Sequence, residues 1–232
     1  MQKPIDLHVI PRVEDETSCL QISQVLSIAG YRAVALTIPT GLMKERLRSL
    51  RTMFVDSGLE VFIRIDLSCT NRQELLKLLH RFRNLYDVVS VKCGNHALGL
   101  VAARDRRVDI VLFDPSKRNV WFDHSIAKVS HAAVEFNMST AFSENTSLAK
   151  SMKEINIAKQ HRVRIVLSSG CTSPLMVRTP SQLKALGMIL GLSEEMARDG
   201  LSTIPRSIVD RNTERRTKEY VEEGVNIIKR AT

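Results

Sequence analysis

Asp6 and His8 lie two residues apart in the apolar run Ile5–Ile10. A β-strand points side chains i and i+2 to one face, so the pair could share a site. A second histidine two residues after His8 would aim two imidazoles at one metal ion; the residue there is Ile10. Further polar groups close later apolar runs. Asp114 follows Asp109–Phe113, and Glu135 and Asn137 alternate around Phe136. Together Asp6, His8, Asp114, Glu135 and Asn137 could form a polar cluster at the mouth of a barrel. One reading is a metal site, which needs three or four convergent His or carboxylate ligands and an open position. The other is a hydrogen-bonded plug that closes the mouth. The missing histidine favours the plug, and no metal is expected.

Ser169-Gly170 invites a nucleophile reading, but no Gly-x-Ser-x-Gly elbow surrounds it. A turn of small residues, suited to an anion, is the better expectation. His80, His124, His131 and His161 stand alone in or beside helical patterns and are expected to serve packing or the surface. The basic residues fall in groups: Arg46, Arg48 and Arg51; Arg81 and Arg83; Arg104, Arg106 and Arg107; Lys117 and Arg118; Arg162 and Arg164; Arg211, Arg215, Arg216 and Lys218. Most belong to solvated helix faces. Arg104–Arg107 and Lys117–Arg118 instead flank one apolar run on loops, where guanidinium forks can meet phosphates.

The elements that must position these residues recur along the chain. Seven apolar, β-branched runs are predicted strands: Ile5–Ile10, Ala33–Ile38, Val61–Asp66, Val88–Lys92, Asp109–Phe113, Ala133–Asn137 and Arg164–Ser168. Most gaps between them carry a helical period, as in Leu75, Leu78, Leu79 and Phe82. Thr70-Asn71 and Thr179-Pro180 supply helix starts. Alternating β and α implies a parallel sheet. No Gly-x-Gly-x-x-Gly follows the first strand, so a (β/α) barrel, short of eight units, is favoured over an open dinucleotide-binding sheet. After Gly191 the pattern turns helical, with helices expected over Ser193–Leu201, Ser207–Arg215 and Lys218–Lys229. The expected organisation is one α/β TIM-like barrel domain spanning 1–232, with a helical C-terminal extension from about residue 193.

Composition narrows the function classes. The 232 residues are 44% hydrophobic and 25% charged, ordinary values for a globular protein. No apolar run is long enough for a transmembrane helix, so no membrane partner is expected. Four widely spaced cysteines and a start that enters a strand directly suggest no disulfide scaffold, no signal peptide and a cytoplasmic setting. A net charge of +9 raises the expectation of a polyanionic partner. Aromatic residues make up only 5%, with Trp121 the single tryptophan. That disfavours a base-stacking platform and favours contact with the backbone of folded RNA.

Taken together, several stretches resemble one family. They are Asp6-Leu7-His8; Val108 through Asp114; Val134-Glu135-Phe136-Asn137; Val166-Leu167-Ser168-Ser169-Gly170-Cys171; Met176-Val177-Arg178-Thr179-Pro180; and Leu183-Lys184-Ala185-Leu186-Gly187. From residue 3 to about 210 the chain is similar to the archaeal ribonuclease P protein component 3. That family's barrel resembles the polymerase-and-histidinol-phosphatase metal hydrolases. Ile10, and Ser168-Ser169-Gly170-Cys171 in place of a Ser-Asp-x-His signature, depart from those hydrolases. The resemblance implies a subunit of the ribonucleoprotein endonuclease that removes the 5′ leader from precursor tRNA. The isolated chain would be non-catalytic and bind no cofactor, and the holoenzyme would need Mg2+ at its RNA active site. Implied partners are ribonuclease P RNA, one close partner protein among the other subunits and, indirectly, precursor tRNA. By position, Arg64, Arg104, Arg107, Arg118, Lys159 and Arg178 are the expected RNA-facing residues. A surviving metal-dependent phosphoesterase and a purely protein-binding scaffold are the competing readings.

Overall fold

The computed structural model describes residues 3–113, 119–141 and 148–216, with the backbone of Tyr220–Glu222 and Val225–Asn226. The elements alternate from the start. β1 (Ile5–Val9), α1 (Glu16–Ile28), β2 (Ala33–Thr37), α2 (Lys44–Asp56), β3 (Glu60–Ser68), α3 (Arg72–Phe82) and β4 (Val88–Cys93) come first. Then follow α4 (His96–Arg104), β5 (Ile110–Phe113), α5 (His124–Val129), β6 (Ala133–Asn137), α6 (Met138–Ala141), α7 (Leu148–Gln160) and β7 (Ile165–Ser168). The chain continues through α8 (Pro180–Ile189), α9 (Glu194–Asp199) and α10 (Thr203–Glu214) to β8 (Tyr220–Glu222) and β9 (Val225–Asn226). All seven predicted strands form, and they pair in chain order in one parallel sheet.

Local signals explain where the helices begin. The side chains of Asn71 and Asn95 accept from the backbone N–H groups of Glu74 and Leu98, capping α3 and α4. Thr179 and Gln182 form a reciprocal capping box around Pro180 at the start of α8. The helices bury their apolar stripes on the outer face of the sheet, Leu75, Leu79 and Phe82 of α3 among them.

Seven strands leave a seam between β1 and β7 where an eighth would stand. Near the C-terminal strand ends it is bridged by Val9 against Cys171 and by Ile10 N donating to Cys171 O at 2.8 Å. At the other end the Gly200–Leu201 segment fills it. Leu167 N donates to Gly200 O at 3.0 Å and Ile5 N to Leu201 O at 2.8 Å. Only glycine fits at 200, because a Cβ there would lie 2.9 Å from Ile165 O. These bonds satisfy edge groups that burial would otherwise leave unpaired.

α10 does not simply lie on the barrel's outside. Its Ile208 and Val209 pack with Ile5, Leu7, Ala33, Ala35, Val88, Ile110, Ala133 and Val166, forming an apolar layer that closes the lumen at the N-terminal end. Within the helix expected over Lys218–Lys229, Tyr220–Glu222 and Val225–Asn226 form the antiparallel pair β8 and β9 instead, and the other positions fall outside the described residues. Val221 and Val225 favour extended backbone, and Gly224 disfavours a helix interior.

Glu154 of α7 is buried and accepts the Phe122 N–H at 3.1 Å. Burial pushes its carboxyl up to about 7, against the pull of that bond and of Lys150. The folded state therefore holds a proton the unfolded chain has released. This stabilisation is complete below about pH 4.5 and is lost as pH rises through about 7, with a loss on the order of 3 kcal/mol. Glu154→Gln keeps the acceptor for Phe122, so the variant should gain stability over the wild type at pH 8 and not at pH 4.5, read by urea unfolding at both.

Candidate functional site

The lumen above the apolar layer is charged. Arg64 of β3 is fully buried and reaches across the barrel. Its Nε donates to Asp66 Oδ1 at 2.8 Å, its Nη1 to Leu7 O at 2.8 Å and its Nη2 to Ser90 Oγ at 3.2 Å. Nη2 also lies 2.7 Å from Glu135 Oε2. One guanidinium thus ties β3 to β1, β4 and β6. Arg64 was expected to face RNA; with no exposed surface it cannot, and that expectation is corrected. The charge inside Val61–Leu67 was legible in the sequence, but its direction was not, because strand alternation alone does not say which face meets solvent.

His8 completes the cluster. Its Nδ1 lies 2.8 Å from Glu135 Oε1 and its Nε2 3.3 Å from Asp66 Oδ2. Burial and then Arg64 oppose protonation of His8, but Glu135 and Asp66 outweigh them and its pKa is raised. Nδ1 is also 3.0 Å from the Asn137 amide nitrogen, while Nε2 is buried without a hydrogen-bond partner. Asn137 is held by Ser139, whose N–H and hydroxyl both donate to its Oδ1. Burial acts to raise both carboxyls. Arg64, followed by His8, nevertheless holds Glu135 at about 2 and Asp66 well below the ordinary range. Arg64 faces both carboxylates, and Lys92 Nζ stands 3.4 Å from Asp66 Oδ2.

Asp6 does not share the face of His8. Asp6 pairs with Val34 and Val9 with Leu36, so three steps along β1 match two along β2. This bulge breaks the alternation on which the expectation rested. Asp6 Oδ1 instead accepts the N–H groups of His8 at 3.0 Å and Ser169 at 3.3 Å, stitching the seam between β1 and β7. Burial raises its pKa, against the bonds from Ser169 and His8. Of the expected polar cluster, His8, Glu135 and Asn137 come together, Asp6 lies at the seam, and Asp114 falls outside the described residues. Asp66, Ser90 and Ser168, whose hydroxyl donates to Glu135 Oε1, complete it.

The Ser169-Gly170 turn is structural. Ser169 Oγ accepts the Cys171 N–H at 3.1 Å. Gly170 has φ +62°, and a Cβ there would lie 2.2 Å from the Asn137 amide. The four cysteines are free; Cys93 and Cys171 are buried, and burial drives their thiols well up. Among the described residues, no three His, Cys, Asp or Glu side chains are arranged to hold a metal ion. The positive charge a cation would bring to Asp66 and Glu135 is already supplied by Arg64. The donor set does not fit a hydrolase metal centre.

The other expected RNA-facing residues divide between the two ends of the barrel. Arg178, between β7 and α8, is at the C-terminal end; its Nη1 donates to Leu175 O and Val177 O at 2.8 and 3.0 Å. With Met138, Ser139, Ser169 and Met176 it lines a cavity of about 340 Å³. Arg104 and Arg107 precede β5 and so lie at the N-terminal end, away from the loop that follows that strand. Arg107 is held by Asp105, with Nε–Oδ1 at 2.9 Å and Nη2–Oδ2 at 2.7 Å. Lys159 Nζ donates to Gly191 O at 2.7 Å. Arg118 falls outside the described residues.

Breaking the lumen network should be costly, because truncating one member strands buried opposite charges. Arg64→Met is expected to lose about 3–5 kcal/mol of stability, read by urea unfolding at neutral pH. Since Asp66 and Glu135 ionise at lower pH when folded, their contribution is full above about pH 4.5 and is lost as pH falls, that of Glu135 through about 2. That acid slope should flatten in Arg64→Met. Gly170→Ala should also destabilise by roughly 2 kcal/mol or more. Adding Asn137→Ala should cost less in that background than in the wild type, because it also removes the clash with the new Cβ.

A family model described as RNase P subunit p30 matches residues 3–217. Curated relatives named Ribonuclease P protein component 3 include one from Methanosarcina acetivorans, 28% identical over 96% of this chain and 93% of its own. Another, from Methanothermobacter thermautotrophicus, is 26% identical over 98% of this chain and 96% of its own. A chain in the cryo-EM structure of archaeal ribonuclease P with mature tRNA superposes with a TM-score of 0.83 at 20% identity, covering 98% of this chain and 99% of that one. At that identity the likeness establishes the barrel. With the family match spanning nearly all of the described residues, the chain belongs to the RNase P subunit p30 family.

Proposed function

We propose that this chain is a protein subunit of ribonuclease P, the ribonucleoprotein endonuclease that removes the 5′ leader from precursor tRNA. It takes part in that endoribonuclease as a non-catalytic component. It binds and orders the catalytic RNA beside one close partner protein and meets precursor tRNA only indirectly. The observation that carries this reading is the family match over residues 3–217. The self-neutralised lumen supports it, because the groups that would serve a phosphoesterase are spent on one another. The working surface is then the basic exterior of a chain with net charge +9. In this reading the Mg2+ of the holoenzyme is held at the RNA active site and this chain supplies no ligand to it. No described helix is long and apolar enough to cross a membrane, and the cytoplasm is the proposed setting.

Arg178 is the RNA contact proposed at the C-terminal end, where a guanidinium fork can take a phosphate. Arg178→Ala should weaken binding to ribonuclease P RNA and lower the slope of log affinity against log salt by about 1. Omitting the chain from a reconstituted holoenzyme should slow precursor-tRNA cleavage. Cleavage that needs the chain, together with an RNA footprint unchanged by it, would mark a scaffold that touches only protein.

A further inference from the structure

The N-terminal end of the barrel gathers four arginines from three parts of the chain, and a histidine from a fourth. Arg106 lies between α4 and β5, His131 between α5 and β6, and Arg164 just ahead of β7. Arg211 sits in the last turn of α10 and Arg215 at its end. These five residues line a cavity of about 210 Å³. That is smaller than the roughly 300–1,000 Å³ of a site for a drug-sized ligand and suits a small oxyanion with water.

Three of the guanidiniums are held in place by the scaffold. Arg164 Nη2 donates to His131 O at 2.6 Å and Arg215 Nη1 to Arg106 O at 3.2 Å. Arg211 Nη2 pairs with Asp109 Oδ1 at 2.7 Å. Asp109 also pairs with Arg83 at 2.8 Å, so one buried carboxylate serves two arginines. The crowding is felt beyond the cavity. After burial, the charges of Arg215 and Arg211 depress the pKa of Arg83. In addition, Arg211 Nε is buried with no hydrogen-bond partner. A buried donor without an acceptor is unfavourable, and an oxyanion in the cavity would offset the mutual repulsion of the guanidiniums around it. Fixed guanidinium forks are the chemistry that reads phosphate.

We propose that this pocket binds a backbone phosphate of RNA, so that the chain touches RNA at the end of the barrel opposite Arg178. The proposal rests on the ribonuclease P reading and places a second contact within it.

The test is the double variant Arg106→Gln, Arg215→Gln of the full chain, with its fold checked by thermal unfolding. Neither residue belongs to the lumen network or pairs with Asp109. Binding to ribonuclease P RNA should weaken by about tenfold at moderate salt, and the salt slope should fall by about 1. The stretch of RNA that loses protection should differ from the one lost in Arg178→Ala. Inorganic phosphate should raise the melting temperature of the wild type above that in chloride of equal ionic strength, and not that of the variant. Wild-type affinity and slope in the double variant, beside weakened binding in Arg178→Ala, would overturn the pocket while leaving the RNA-binding reading standing. Unchanged binding in both would remove the two together. Loss of the partner protein with RNA affinity intact would make the pocket a protein contact and overturn the proposal.

Discussion

The burial of Arg64 is the constraint on which the rest of the lumen depends. A guanidinium taken out of water carries a large desolvation cost, met only when opposite charges and acceptors surround it. Here Asp66, Glu135, Leu7 O and Ser90 do so from four strands. Arg64 keeps Asp66 and Glu135 ionised, and Glu135 and Asp66 in turn raise the pKa of His8. The result is a charged layer above an apolar one, beneath a cavity of about 640 Å³ at the barrel mouth that Lys92, Glu135 and Asn137 help to line.

The seven-stranded closure imposes a second constraint. A missing strand leaves main-chain groups at the seam that water cannot reach. They are met by unlike devices: a single bridge at Val9 and Cys171, the Asp6 carboxylate in the middle, and the Gly200–Leu201 segment at the far end. The bulge in β1 connects this seam to the lumen. By adding one residue it sends Asp6 to β7 while Leu7 joins the apolar layer and His8 reaches Asp66 and Glu135. α10 then seals the apolar end, and in doing so carries Arg211 and Arg215 to the arginines of the neighbouring loops.

Positive charge consequently lies on both ends of the barrel and for different reasons. At the C-terminal end Arg178 stands on the turn into α8. At the N-terminal end the αβ connections and α10 converge. Arg104 and Arg107 look equivalent to Arg118 in the sequence, since all flank one strand. In the fold, Arg104 and Arg107 precede that strand, so its length separates them from the loop that follows it. A subunit that must hold folded RNA gains from two charged ends, because backbone contacts spread over a wide surface fix orientation without reading bases.

The sequence by itself determined the strand order, the helix starts and the choice of a barrel. These rest on short-range periodicity and capping, which operate within a few residues, as at Asn71, Thr179 and the seven apolar runs. It also carried the departures from the metal hydrolases it resembles, with Ile10 at a histidine position and Ser169 and Cys171 at those of an aspartate and a histidine. It did not show the partners of Asp6 and Arg64. One inserted residue in β1 decided the first, and contacts between side chains scores of residues apart decided the second. Likewise, Lys218–Lys229 carries enough charge and apolar spacing to read as helix, while Val221, Gly224 and Val225 turn it toward strand pairing. Whether an arginine meets RNA or a buried carboxylate depends on which face its strand presents and which end its loop joins. Only the closed barrel settles that, because burial and charge balance are properties of the assembled lumen rather than of any local stretch.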